Sequence, residues 1–164
     1  MKKLSLIIVL LAIMHMSMMV IIPEASAEEI TKVGACLKGI CNPERTQGLK
    51  APAPKGEYEL VKLKGPGTFI SAEISKQGGA NDLTFIVLDI DGKNVVNLSV
   101  AGAENWGLTQ HNPYGLVLLK SSVGIKTFTI GFSSPLYFRS ELKLKVVVQE
   151  DNVAQIVANV IHGK

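Results

Sequence analysis

The chain predicts an all-β fold, an antiparallel β-sandwich of single jelly-roll type, and three observations predict it. Apolar and polar residues alternate with a period of two in run after run from Glu57 to the C-terminus. Turn residues separate these runs at a spacing of roughly ten residues, which suits a sandwich of about seven or eight short strands. Asp91-Gly92, a dipeptide that fits a two-residue hairpin turn, joins a nearly continuous apolar run directly to an alternating one.

The body does not begin at the first residue. Lys2 and Lys3, an apolar run from Leu4 to Ile22, Pro23 and the small triplet Ala25, Ser26, Ala27 have the three-part organisation of a secretory signal peptide. Cleavage after Ala27 makes Glu28 the new terminus and the product secreted or periplasmic. The alternative is a permanent anchor, since about 20 apolar residues cross a bilayer. Pro23 just ahead of the triplet, with His15 and Ser17 inside the run, favours cleavage. All five methionines go with this segment, and so do two lysines and one glutamate, which lowers the net charge from +3 to +2. A nearly neutral mature chain without a run of like charges longer than a pair has no electrostatic footprint for nucleic acid, and none for a membrane once the signal is gone. The 137 remaining residues of 164 make one domain, able to bury about two-thirds of its unfolded surface.

Residues 28–56 read as an extended N-terminal arm. Cys36 and Cys41 are the only cysteines, and in an oxidising compartment a local disulfide is expected. So short a loop stabilises by only about 2 kcal/mol, enough to pin the arm and not to hold the domain together. Val33-Gly34-Ala35-Cys36 has the form of a lipid-attachment box but is separated from the apolar run by Glu28, Glu29 and Lys32. Pro43, Pro52 and Pro54 fix φ and remove donors, so this stretch should be extended without joining a central sheet, and the body should start near Glu57.

From there the strands follow in order. Tyr58 to Lys64 alternates, and after Gly65-Pro66-Gly67 the stretch Thr68 to Ser75 sets Ile70, Ala72 and Ile74 on one face and Ser71 and Glu73 on the other. Leu83 to Ile90 is nearly continuously apolar, as in a centrally placed strand, and Asp91-Gly92 turns it back into Asn94 to Val100. Leu116 to Ser121, Ile125 to Phe132 and Leu142 to Val148 add three more, the last with Leu142, Leu144, Val146 and Val148 inward and Lys143 and Lys145 outward. Val153 to Ile161 fits either helical or strand spacing. Its β-branched residues and the Asp151-Asn152 turn ahead of it favour a strand.

The Gly65-Pro66-Gly67 opening, the apolar strand Leu83 to Ile90 and its Asp91-Gly92 turn resemble the jelly-roll domains of a glycoside hydrolase family that forms or cleaves difructose dianhydrides, and those of phage tail and coat proteins. The resemblance spans Gly65 to Val148 and rests on turns and alternation, so it implies a fold and carries over no catalytic residue.

The chemistry is sparse. His111 and His162 have no partner at metal-ligand spacing; there is no Gly-x-Ser-x-Gly elbow, no His-Glu-x-x-His and no phosphate-cradling loop. Asp89, Asp91 and Asn94 read as a turn, because Lys93 and Val100 occupy positions where a calcium loop needs oxygen ligands. Asp82, Glu104 and Glu141 fall in loops or at strand ends, and a carboxylate pair for a glycosidase would be drawn from them. No catalytic residue, metal or cofactor is assigned. The most suggestive stretch is the loop Gly102 to Gly115, which holds Trp106, Gln110, His111, Asn112 and Tyr114. Aromatic faces stack on sugar C–H surfaces while amide and imidazole groups bond hydroxyls. The alternative for this loop is a cap over one open end of the sandwich; Tyr137 and Phe138 read as closing the opposite edge. The leading reading is an exported, non-catalytic binding module for a glycan or cell-envelope component. The alternative is a self-assembling structural jelly roll, and so a homo-oligomer; an exported glycan-active enzyme ranks third.

Overall fold

The structure, a computed structural model, describes residues 40 and 42–163. The signal segment, and Cys36 and Cys41 with the disulfide expected between them, lie outside the described residues. Among the described residues, nine strands and one short helix follow in the order β1 (Glu44–Lys50), β2 (Gly56–Lys64), β3 (Gly67–Gly78), β4 (Thr84–Ile90), β5 (Lys93–Ser99), α1 (Val100–Asn105), β6 (Leu116–Ser122), β7 (Ile125–Phe138), β8 (Glu141–Val148) and β9 (Val153–Gly163).

They form two antiparallel sheets, ordered β1-β9-β3-β7-β6 and β2-β8-β4-β5. The pairs β1 with β9, β2 with β8, β3 with β7 and β4 with β5 are nested, so the chain is a long double ribbon that crosses alternately between the sheets as it rolls up. That is the jelly-roll topology, with β6 added to the outer edge of β7. Between the sheets, Phe69, Ile74, Phe128 and Ile130 of one meet Ile86, Leu88, Leu144 and Val146 of the other, all essentially without exposure. Each such side chain contributes roughly 1.5–3 kcal/mol by leaving water.

The alternation is observed as read in β8, where Leu142, Leu144, Val146 and Val148 are buried, and β4 lies inside its sheet between β8 and β5. The C-terminal stretch is a strand, sandwiched between β1 and β3. Asp91 (φ 50°) and Gly92 (φ 76°) make the hairpin turn of β4 and β5, the pair of positive φ values that an Asp-Gly type I′ turn requires.

Four expectations need correction. The sandwich starts at Glu44 and not near Glu57, because β1 pairs along its whole length with β9. Its prolines do not prevent this: Pro43 precedes the strand, Pro52 and Pro54 follow it, and β1 lies at a sheet edge, where one row of donors needs no partner. Gly48 is required there, since a Cβ would lie 2.0 Å from the carbonyl oxygen of Leu60, where β1 runs close under β2. In β3 it is Phe69 and not Ile70 that faces the core, because a register shift between Phe69 and Ser71 leaves Ile70 as an extra residue. The loop expected from Gly102 begins as helix α1, capped by the Ser99 hydroxyl, which accepts from the N–H of Gly102 at 2.9 Å. At the other edge cluster, Phe138 is buried as read, whereas Tyr137 is 61% exposed at the end of a β7 that runs on past Phe132.

Candidate functional site

Helix α1 and the segment to Gly115 bridge the free edges of the two sheets, β5 and β6. Val100, Ala103 and Leu108 face the core, and the N–H of Leu118 donates to the Leu108 carbonyl at 2.7 Å, which ties the loop to β6. The open end is therefore capped by Ala103 and Leu108. Trp106 and Tyr114 stay outside, 60% and 55% exposed, with ring centroids 5.3 Å apart and planes tilted by 46°, a favourable aromatic geometry.

Under this pair runs a groove of about 310 Å³, lined by Trp106, Pro113, Tyr114, Leu116 and the β5 residues Val95 and Leu98 among others. Leu88 pairs with Val96 and Asp89 with Asn94, so Val95 is a bulge residue with no cross-strand partner and its side chain is turned out, 38% exposed. A second, more open depression of about 660 Å³, bordered by Ile90, Lys93, Leu136, Tyr137 and Arg139, shares Val95 with the first. The two make one track along β5, with Asn94 and Asn97 beside its apolar side chains and Asp91 beside Lys93 and Arg139 at its far end.

The five residues read as a ligand set are not brought together as one. Trp106 and Tyr114 meet, but Gln110 and His111 are exposed and line neither depression. Asn112 is occupied within the loop: its Nδ2 donates to the carbonyls of Gln110 (2.9 Å) and Leu116 (2.8 Å), and its Oδ1 accepts from the N–H of Tyr114 at 2.9 Å. It is the residue that shapes the turn beneath the aromatic pair.

Of the three carboxylates in loops and at strand ends, Asp82 and Glu104 converge and Glu141 lies apart with Lys62 and Lys143. What joins Asp82 and Glu104 is Lys126, 3.3 Å from Asp82 and hydrogen-bonded to Glu104 and, at 2.7 Å, to Ser121. Asp82 also accepts from Lys76 at 2.6 Å, and Lys76 reaches Glu150 at 2.7 Å in the interior. Desolvation works to raise Asp82, but Lys76 and Lys126 outweigh it and hold its carboxyl below the usual range; Lys126 and the Ser121 hydroxyl do the same for Glu104. For Lys126 the desolvation that would lower its pKa is outweighed by Glu104 and Asp82, which raise it. A Ser–Lys dyad needs a lysine able to take the serine proton, and here the lysine is held charged. The cluster clasps β3, the β3–β4 loop, α1 and the β6–β7 hairpin. Its buried half was missed from sequence, although Lys76 continues the inward series Ala72, Ile74 and was legible as a lysine on a core face.

His162 is 7% exposed, and its Nε2 is 2.9 Å from the Thr46 hydroxyl oxygen, between β9 and β1. Among the described residues, no three of His, Cys, Asp or Glu come together as a metal-binding group.

No protein-family model matches the chain, and none of the curated proteins does. Among solved structures, a chain of the acidic stable capsid structure of Helicobacter pylori bacteriophage KHP30 aligns with a TM-score of 0.49 at 13% identity, over 76% of this chain and 90% of that one. A chain from the structure of infectious bursal disease virus Gx strain aligns with a TM-score of 0.23 at 10% identity, over 75% and 41%. The jelly-roll assignment stands on the strand order.

Proposed function

We propose that the protein is a non-catalytic structural jelly roll that associates with further copies of itself through the face carrying Trp106 and Tyr114. The observation that carries this reading is the composition of that face. Two large aromatic side chains, more than half exposed, stand over a groove lined by Val95, Val96, Leu98, Pro113 and Leu116 with Asn94 and Asn97 beside them; Asn94 is bonded to Asp89, and the polar side chains of the aromatic loop are exposed elsewhere or used internally. A sugar site needs placed donors and acceptors around its aromatic platform; a protein interface needs buried aromatic anchors within an apolar centre.

A glycan ligand is the second reading, favoured by the exposed faces of the tilted Trp106–Tyr114 pair. One experiment separates the two. Size exclusion with light scattering on residues 28–164, with and without Trp106→Ala, is expected to show an oligomer that the substitution dissociates. A monomer that binds immobilised cell-wall polysaccharide through Trp106 gives the second reading instead. Because Trp106 is mostly exposed, the variant keeps its fold, with a stability change of about 1 kcal/mol or less.

A further inference from the structure

Among the described residues the sandwich has four edge strands, β1 and β6 of one sheet and β2 and β5 of the other. An edge presents a row of unpaired N–H and C=O groups that another chain can extend, and a bulge spoils that row. Three of the four carry a bulge: β2 at Leu60, β5 at Val95 and β6 at Leu119. β1 carries none. Its seven residues keep an unbroken register with β9, and no described residue bonds its backbone on the outer side. Pro43 and Pro52, which lack an N–H, bound this regular stretch.

Resting on the self-association reading, we infer that β1 is a second contact between copies, pairing antiparallel with β1 of another copy about a two-fold axis at Gln47. All seven residues of each strand are then paired, and two five-stranded sheets become one of ten. The charges select this register. It sets Glu44 opposite Lys50 of the partner subunit and Lys50 opposite the partner's Glu44, a cross-strand pairing that stabilises. Neither residue has an ion-pair partner among the described residues, and His162, beside Glu44 in the β1–β9 ladder, is taken by the Thr46 hydroxyl. A slip of two residues either way sets Glu44 and Lys50 opposite uncharged residues instead.

Arg45, the third charge of β1, meets no like charge. It stands opposite Leu49 of the partner subunit, on the other face of the strand from Lys50, and its stem covers a leucine that is 62% exposed. The two arginines of the pair are four residues apart along the ladder, about 13 Å, beyond the screening length of about 8 Å at physiological salt. Two short strands with two exposed ion pairs are too weak to hold lone chains together. The contact forms between groups of copies already joined through Trp106, where it is made more than once. It leaves the Trp106 face clear, because β1 lies at the sheet edge opposite β6.

Charge reversal on residues 28–164, read by light scattering, tests the assignment. Glu44→Lys sets lysine against Lys50 of the partner subunit, Lys50→Glu sets glutamate against the partner's Glu44, and each should halve the mass of the parent oligomer. Glu44→Lys with Lys50→Glu restores both pairs and should return the parent mass. Glu44→Lys leaves Lys50 in place over the Tyr58 ring, 4.7 Å from its centroid, so it carries the test alone if Lys50→Glu does not fold; unchanged melting of each variant confirms folding. If both single variants keep the parent mass while Trp106→Ala still dissociates it, β1 is not a contact and the self-association reading stands. If the single reversals halve the mass and the double variant does not recover it, the Glu44–Lys50 register is overturned. A single reversal that lowers melting and leaves the mass unchanged assigns the edge to a segment of the same chain, which also overturns the inference. A parent chain that is monomeric at every concentration removes the self-association reading, and this inference with it.

Discussion

Glu150 accepts four hydrogen bonds with its side chain shut off from water: from the Lys76 ammonium, from the Thr84 hydroxyl at 2.6 Å, and from the N–H groups of Asn81 (3.1 Å) and Asp82 (2.9 Å). Its burial alone would raise the carboxyl, but Lys76, Thr84 and Asn81 hold it below the ordinary value. Glu150→Gln leaves a buried lysine with Asp82 as its sole carboxylate and is expected to destabilise by about 3 kcal/mol in urea unfolding. Replacing both partners, Lys76→Met with Glu150→Leu, should do less harm than the single change, because no uncompensated charge stays inside. The sign of the pH response follows from the same groups. Asp82, Glu104 and Glu150 all have folded pKa values below the unfolded ones, so their contribution is complete above the unfolded carboxylate range and disappears as pH falls through the folded values. The raised Lys126 acts oppositely, its contribution fading only as pH rises past an ordinary lysine. Thermal melts should therefore be flat from about pH 6 to 9 and fall steeply below about pH 4, with a shallower acid limb in Glu150→Gln. At this scale little was legible in advance. Alternation carried one residue past the expected end at Ser75 sets Lys76 on the inward face, but it names neither Glu150 nor Asp82 as its partners, which lie 74 and 6 residues away.

Elements were legible where a strand keeps the period of two, as in β8 and β9, and where a turn signal marks the hairpin, as between β4 and β5. In β3 the inward face was misread at Ile70, because one residue breaks the count. Ile70, Val95 and Leu119 each fall at a bulge, and a bulge shifts every later side chain to the other face without leaving a composition signal. Helix α1 was missed for a different reason. Six residues, Val100 to Asn105, are too few for a helical period, and what marks it is Ser99 as an N-cap. Ser99→Ala should cost about 1 kcal/mol, read as a shift in the urea midpoint with unchanged slope, and should loosen the Trp106–Tyr114 platform that α1 carries. Gly48→Ala sets the β1–β2 crossing against the Leu60 carbonyl and should be the more damaging change, since the obstructing atom is backbone. An equal or smaller loss than for Ser99→Ala would mean that β1 can move away from β2.

For the whole molecule, the sandwich came through in the sequence because antiparallel ribbons announce themselves locally, by turns and alternation. The site did not, because the groove is built from β5, the loop after α1 and β6, and its character depends on which polar groups turn away. Gln110, His111 and Asn112 suggested a sugar site by their presence beside Trp106. The fold sends two of them outward and uses the third to shape a turn. What remains is an exposed aromatic pair over a groove where Val95, Leu98, Pro113 and Leu116 alternate with Asn94 and Asn97, a surface suited to another chain. The central claim is that this surface joins copies of the protein. Light scattering on residues 28–164 across a concentration series tests it most directly: the account predicts a defined oligomer that Trp106→Ala converts to monomer, and a parent chain that stays monomeric throughout, or an oligomer indifferent to Trp106, would contradict it.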